Sequence, residues 1–306
     1  MRASFFLIRL FRTVLTLLGV VTLTFILSRL SGDPVALMLP ENATLADREL
    51  LRSSLGLDQP WFVQYTSYLG DLLRLDFGRS LAYARPALDV IMERVPATLE
   101  LGLSALALSL LISLPLGIMA AVKRNSAADR FIMSFSLLGQ SVPPFVVGIL
   151  LILFFSVRLR FFPSFGRDGF SSAVLPVATL TLYPLAFLIR LTRASVLDVL
   201  GQPFIRTGRA KGLRERTVIA RHALRNALIP VVTIAGIQLA GIISGSAIIE
   251  TVFAWPGIGW LAVQSINARD YPIIQGVVLL SAFAFSFVTL AVDLLYSVID
   301  PRIRYS

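Results

Sequence analysis

The side chains best suited to bind an anionic partner are concentrated in one internal segment. Residues 206–230 read RTGRAKGLRERTVIARHALRNALIP and contain the densest cluster of arginines in the chain. Such a cluster can bind phosphates, carboxylates or an acidic protein surface, and it can also flank a membrane span. The only histidine, His222, lies in the same segment, and we interpret it as a helix-face or capping residue rather than a metal ligand.

Other residue patterns that would indicate catalysis are missing from the sequence. There is no cysteine, and the nearest approach to a phosphate-binding loop, at 208–212, lacks the lysine and hydroxyl that should follow its second glycine. A lone histidine among arginines gives no reason to expect a Ser-His-Asp triad. We therefore predict that the chain is not an enzyme and binds no cofactor or metal of its own.

The composition is typical of a membrane protein. Of 306 residues, 56% are hydrophobic and 15% are charged, whereas a soluble domain has about a quarter charged residues. Apolar stretches of about 20 residues can cross a bilayer as helices. Such stretches predict an all-α polytopic fold with six transmembrane helices, at about 10–30, 98–122, 131–157, 173–191, 228–249 and 274–299.

The spans divide the chain into regions. The first span belongs to an N-terminal region, 1–30, and a connecting segment follows at 31–97. The transmembrane core at 98–299 includes a loop at 192–227, and residues 300–306 form a tail. In the second, third and fourth spans we expect kinks at prolines, namely Pro115, Pro143, Pro144, Pro176 and Pro184.

Lysine and arginine predict the orientation. The basic residues before span one, after span two and after span four all fall on one side of a six-span arrangement, which the positive-inside rule makes cytoplasmic. Both termini should then be cytoplasmic, and the segment at 31–97 periplasmic. This explains the net charge of +10 without nucleic-acid binding. Four aromatic residues in that segment, Trp61, Phe62, Tyr65 and Tyr68, predict a small folded unit near the outer interface.

Glycines punctuate the basic segment. Gly201 and Pro203 should end the helix that extends from span four, and Gly208 and Gly212 should bracket a short turn that a partner can approach closely. Beyond them we expect an amphipathic helix whose apolar stripe is Leu213, Thr217, Ala220, Leu224 and Leu228. The segment could lie on anionic lipid or dock a cytoplasmic protein, and only docking gives the glycines a use.

These residues resemble the cytoplasmic coupling loop of binding-protein-dependent ABC importer permeases, in the form found in the oligopeptide, dipeptide and nickel subfamily. Arg206, Thr207 and Gly208 stand where other importers have Glu-Ala-Ala, a deviation that this subfamily shares. Further strings resemble the subfamily in order and spacing: SGDP at 31–34, LGLDQP at 55–60, QY at 64–65, LDFGRS at 75–80, RVPATLEL at 94–101, FAWPGIG at 253–259, RDYPIIQG at 269–276 and DPRIRY at 300–305.

The resemblance implies a set of partners at the inner membrane. Two cytoplasmic ATPase subunits, which would hold ATP and Mg, should bind the coupling residues Arg206, Gly208, Arg209, Ala210, Lys211, Gly212 and Leu213. A periplasmic solute-binding protein should deliver the substrate, and a second permease subunit, a homologue or a second copy, should complete the pathway. Membrane lipid is a further partner, and nucleic acid is not.

Polar residues within the spans are candidates for the translocation pathway. We expect Gln140, Ser141, Gln238 and Ser244 to line it, although small residues in span five fit close helix packing equally well. Asp293, an acid inside the last span, is better explained by helix packing than by ion transport.

The predicted function is that of a permease subunit of an ABC importer for dipeptides or oligopeptides. A glutathione-like peptide falls within that class, and nickel or a nickel chelate is the alternative within the subfamily. A stand-alone channel or an ion-coupled transporter is the alternative of another class, but it would call for intramembrane charge pairs or inverted repeats that the sequence does not show.

Overall fold

A computed structural model describes residues 3–30, 35, 44–54 and 56–299 of the chain, with 3–6, 51, 54, 243–245 and 293–299 described by their backbone only. Regular structure within these ranges is helical, as predicted, apart from one isolated bridge between Arg79 and Pro86. The helices are α1 (Ala3–Leu30), α2 (Leu45–Ser54), α3 (Trp61–Leu73), α4 (Ala87–Val122), α5 (Ala127–Ser141), α6 (Pro144–Leu151), α7 (Phe170–Leu200), α8 (Pro203–Ala210), α9 (Leu224–Gly245), α10 (Ala247–Val252), α11 (Ile258–Asn267) and α12 (Tyr271–Ile299).

Helix α7 lies at the centre of the bundle and packs against α4, α5, α6 and α9. It runs beside α4 in the same direction. Glu100 of α4 forms an ion pair with Arg167, just before α7, and at the other end Ala121 packs against Val196. Leu188 and Ile189 are fully buried, so the side of α7 that carries them is enclosed by its neighbours.

The third predicted span is broken. Helices α5 and α6 meet at an angle of 97°, and Pro143 and Pro144 lie at the break because neither has an amide hydrogen to continue the helical hydrogen bonds. After α6 the chain continues as a π-helical turn, Ile152–Arg158. A sharp break at this place agrees with the sequence prediction.

Contacts at the two ends of the broken segment indicate that it crosses the bundle. At its start, Asp129 binds Arg193, which lies about 35 Å along α7 from Phe170. At its end, Ser156 hydrogen-bonds to Ser164 in the loop that leads into α7. The two ends therefore lie on opposite sides of the bundle, and the six predicted spans are α1, α4, α5 with α6, α7, α9 and α12.

The other prolines do not end their helices. Helix α4 continues through Pro115 and α7 continues through Pro176 and Pro184, so the fourth span is a continuous helix. Both helices pack closely against each other and against further neighbours, which stabilises them despite the hydrogen bonds that these prolines remove.

The segment between the first two spans contains α2 and α3, and α3 packs on the far end of α1. Thr22 and Tyr65 share a hydrogen bond of 2.6 Å, and Phe25 contacts both Tyr65 and Tyr68 through their rings. Trp61 and Phe62, at the start of α3, remain exposed. We call this side of the molecule the outer end, and the side that holds α8 and the α4–α5 loop the basic end.

Candidate functional site

The basic segment forms a short helix that projects from the basic end of the bundle. Helix α7 ends at Leu200, and after Gly201 and Gln202 the chain enters α8 with Pro203 in its first turn, where a missing amide hydrogen costs nothing. Of the side chains in α8 only Ile205 is buried, and it packs against Val218 and Ala223 of the following segment. One apolar anchor therefore holds the helix, and its remaining side chains are available to a partner.

The accessible face of this helix combines apolar and cationic groups. Phe204 is 46% exposed and Leu213 is 39% exposed, which is unusual for large apolar side chains outside the lipid. Arg206, Arg209 and Lys211 are also exposed. An exposed surface of this composition is better suited to contact with a protein partner than to exposure to solvent. The matching partner would offer an apolar cleft with acidic edges.

Gly212 ends the helix. Its backbone has φ +76°, the left-handed conformation that glycine adopts without strain. The amide of Gly212 donates to the carbonyl of Arg209 at 2.9 Å, and the amide of Leu213 donates to that of Gly208 at 3.4 Å. This pair of bonds is the Schellman motif that closes many helices.

The expectation that two glycines bracket an open turn was therefore wrong. Gly208 lies inside α8, where a Cβ atom would meet Leu213 and Val218 at 3.8–4.0 Å, an ordinary contact distance. Gly212 is required by the backbone conformation, and a Cβ there would meet nothing. Gly212 therefore shapes the end of the helix, whereas position 208 would accommodate a Cβ atom.

An ion pair ties the helix to the segment that follows it. Arg209 donates to Glu215 from Nε at 3.0 Å and from Nη2 at 2.6 Å. This hydrogen bonding raises the pKa of the Arg209 guanidinium, which is charged throughout the physiological range in any case. Both side chains are about half exposed, so the pair orients Arg209 more than it stabilises the fold.

The first part of the predicted apolar stripe beyond Gly212 was also wrong, whereas Leu224 and Leu228 pack against the core as expected. Leu213, Thr217 and Ala220 are exposed, and the buried positions are Val218, Ala223 and Ala227. A short helical turn, Glu215–Thr217, leads into a π-helical turn, Val218–Ala223, before α9 begins. The π-helical turn has a hydrogen-bonding period one residue longer than an α-helix, so the expected spacing of 3.6 residues per turn does not hold there.

The four candidate pathway residues occupy different environments. Gln140 and Ser141 lie at the break between α5 and α6; Gln140 accepts a hydrogen bond from Arg190, and the Ser141 hydroxyl donates to the carbonyl of Leu137 at 2.9 Å. Gln238 is partly buried in α9, and no hydrogen bond joins it to the other candidates in the described part of the chain. The side chain of Ser244 lies outside the described residues, as does that of Asp293.

Arg190 was not among the site residues predicted from the sequence. It lies on α7 one turn before Arg193, and its guanidinium donates to Gln140 beside the break in the third span. The predicted fourth span ended at residue 191, which placed Arg190 at the membrane edge. Its contact with Gln140 depends on how α5 packs on α7, and no local sequence pattern indicated it.

Two buried carboxylates at the outer end join strings that are far apart in sequence. Glu250 is fully buried and accepts hydrogen bonds from Thr98 at 2.8 Å, from Ser246 at 2.7 Å and from the amide of Trp260 at 2.9 Å. Thr98 also accepts from the amide of Ile258 at 2.8 Å. The string RVPATLEL is thereby fastened to FAWPGIG.

The second carboxylate acts similarly. Asp270 is fully buried, and its Oδ2 accepts from the Ser80 hydroxyl at 2.5 Å and from the amide of Ala82 at 3.1 Å. This fastens LDFGRS to RDYPIIQG. The distinctive strings at the outer end therefore hold loops onto the bundle. Among the described residues no group of three or more histidine or acidic side chains could hold a metal ion.

Two family models match the chain. Residues 113–305 match the inner membrane component of binding-protein-dependent transport systems, and residues 2–102 match the N-terminal part of such a component. The glutathione transport system permease protein of Escherichia coli strain K12 is 42% identical over 297 residues, which cover 94% of this chain and 97% of that protein. A Brucella melitensis protein provisionally named a peptide transport system permease is 41% identical over 314 aligned positions, covering all of both chains.

Solved structures show the same fold at lower identity. An inward-facing methionine ABC transporter has a TM-score of 0.61 and is 21% identical, and the match covers 70% of this chain and 97% of that one. An amino acid ABC transporter solved with histidines has a TM-score of 0.51 and is 18% identical, covering 71% and 95%.

Proposed function

This chain belongs to the family of inner membrane components of binding-protein-dependent transport systems, and from that premise we propose that it is a permease subunit that imports small peptides. It is a multi-pass inner membrane protein and a transport subunit rather than an enzyme. Peptides are favoured over nickel because its full-length relatives are named for peptide and glutathione transport.

We propose that α8 is the element through which ATP hydrolysis on partner subunits drives transport. The observation that supports this most directly is that Ile205 is the only buried side chain of α8, while Phe204, Arg209 and Lys211 remain exposed. Buried Val218 and Ala223 connect Ile205 to the start of α9, so a pull on α8 would reach a membrane span through packed side chains. The coupling residues are Arg206, Gly208, Arg209, Ala210, Lys211, Gly212 and Leu213.

The remaining parts of the proposal concern orientation and partners. The basic end is cytoplasmic, with both termini on that side, because it contains α8 and the basic α4–α5 loop. Two ATPase subunits dock there and hold ATP and Mg. A solute-binding protein docks at the outer end, and a second permease subunit completes a pathway that includes Gln140, Ser141, Gln238 and Ser244.

Reconstitution tests this proposal. We would place the chain in proteoliposomes with its partner permease and ATPase subunits, add binding protein, and compare uptake of labelled dipeptide, glutathione and nickel. ATP-dependent uptake of peptide but not of nickel is expected. Uptake of nickel alone would overturn the substrate class, and passage of solute through this chain without ATP or partners would favour a channel.

A further inference from the structure

Arg190 differs from its charged neighbours in having no acidic partner. Its guanidinium donates to the neutral side-chain carbonyl of Gln140, and no described acidic side chain forms an ion pair with it. Arg193, one turn later on the same helix, binds Asp129 through two hydrogen bonds. The positive charge of Arg190 is therefore uncompensated within the described part of the chain.

A positive charge without an acidic partner raises the free energy of a membrane-spanning helix, and charged residues in such helices usually have a functional role. A guanidinium has five N–H donors in a planar fork that suits a carboxylate. Gln140 accepts from only one of its nitrogens, Nη2. None of the others is both buried and unpaired, so donors remain accessible to an anion.

The face of α7 that carries Arg190 is the open one. Tyr183, Phe187, Arg190 and Ala194 recur at spacings of four, three and four residues, which places them along one side of the helix. Tyr183 is 48% exposed and Ala194 is exposed, whereas Leu188 and Ile189 on the other sides are buried. Lipid does not explain an open face with an arginine at its centre, but a polar route through the assembly does.

The break in the third span borders this face. Gln140, which binds Arg190, is followed within four residues by Ser141, Pro143 and Pro144. Because the two prolines donate no hydrogen bonds, the preceding carbonyls lose their helical partners. Irregular backbone at membrane depth is tolerated where it lines a cavity. The cation of Arg190 and the break in the third span therefore lie together.

We propose that Arg190 binds the C-terminal carboxylate of the peptide as it crosses the membrane, with Tyr183 beside the peptide's last side chain and Gln140 orienting the guanidinium. This inference rests on the proposed function and adds to it the chemical group that the pathway recognises. A paired set of N–H donors on a carboxylate gives both strength and geometry. A lysine at position 190 would keep the positive charge but would lack the planar set of N–H donors that suits a carboxylate.

The test compares a labelled dipeptide with its C-terminal amide in proteoliposomes that contain the complete transporter and its binding protein. For each peptide we would take the ratio of uptake by the variant to uptake by the wild type, so that any preference of the binding protein cancels. Arg190→Gln should lower this ratio about tenfold or more for the free acid and leave it near one for the amide. Arg190→Lys should lie between.

Equilibrium binding of both peptides to the nucleotide-free complex, without binding protein, gives a second measurement if the amide is poorly delivered. The wild type should bind the acid about tenfold more tightly than the amide, and Arg190→Gln should abolish the difference. The control is Arg130→Gln, which removes an exposed cation from the basic end. It should leave the uptake ratio near one for both the acid and the amide, and it should leave the difference in their binding unchanged.

Three outcomes would overturn the inference. Equal losses for acid and amide with Arg190→Gln would mean that Arg190 serves folding or pairs with the second permease subunit. No loss for either peptide would mean that it contacts neither. If the wild type carried nickel and no peptide, both the inference and the proposed function would fail, whereas the first two outcomes leave peptide import intact.

Discussion

Arg193 on α7 and Asp129 on α5 form a two-bond ion pair, with Nε 2.7 Å from Oδ1 and Nη2 2.8 Å from Oδ2. The pair fastens the start of the broken span to the far end of the central helix. The Asp129 side chain is only 5% exposed and that of Arg193 is 23% exposed. Loss of either partner would leave a poorly solvated charge at the basic end.

The first prediction concerns the stability that this pair provides. Asp129→Asn and Arg193→Gln should each lower the free energy of unfolding by about 2–3 kcal/mol, a value reduced from the fully buried case because Arg193 is partly solvated. Thermal unfolding in detergent would measure it. Glu215→Gln, which breaks the half-exposed pair with Arg209, is the matched control and should cost less than about 1 kcal/mol. Equal effects would contradict the argument from burial.

The second prediction separates the roles of the two glycines around α8. Gly212→Ala should lower uptake and cost about 1–2 kcal/mol locally, because a Cβ is strained at φ +76°. Gly212→Asn should be tolerated better, since asparagine adopts this conformation more readily. Gly208→Ala should lower uptake less than Gly212→Ala does, because a Cβ at position 208 would meet its neighbours only at ordinary contact distances. The ratio of uptake to membrane-inserted protein is the measurement, and a greater loss with Gly208→Ala would be the contrary result.

Gly212→Asp tests charge at the same position. Aspartate also tolerates the left-handed conformation, so any loss of transport beyond that of Gly212→Asn reports the added negative charge in the docking surface. We expect transport to be abolished while the permease remains inserted. Normal uptake by Gly212→Asp would argue against ATPase docking at this place.

The fourth prediction concerns Arg209 and Lys211. Charge reversal at both, to glutamate, should abolish ATP-driven uptake without loss of membrane insertion, because the exposed cations would no longer match an acidic partner. The exchange Arg209→Glu with Glu215→Arg restores the internal ion pair but not the position of the positive charge. It should remain defective in uptake and in co-purification with the ATPase. Recovery by the exchange would assign Arg209 an internal structural role instead.

The last prediction concerns the buried Glu250 at the outer end. A Cβ atom at Gly257 would lie 2.4 Å from Glu250 Oε2 and 2.5 Å from Thr98 Oγ1, so Gly257→Ala should displace this carboxylate and lower the thermal stability markedly. Gly241→Ala is the matched control, because a Cβ there meets nothing within 4 Å. If both variants unfold at the same temperature, the carboxylate does not hold the outer loops.

The sequence was sufficient for the membrane fold and for the position of the short helix α8. Apolar runs long enough to cross a bilayer predict spans by length and composition alone. Gly201 and Pro203 likewise predict that α7 ends before α8, because both residues act on the local backbone. Such features need no knowledge of distant contacts.

Tertiary structure decided which side chains are buried and which distant groups they contact. The sequence placed Leu213 in a buried stripe, but the π-helical turn after Thr217 buries Val218 and Ala223 instead. It gave no partner for Arg190, which the packing of α5 on α7 sets beside Gln140. Pairings such as Thr98 with Glu250 join residues more than a hundred positions apart, and only the folded chain brings them together, because local patterns contain no information about which distant hydrogen-bonding partner will be buried with them.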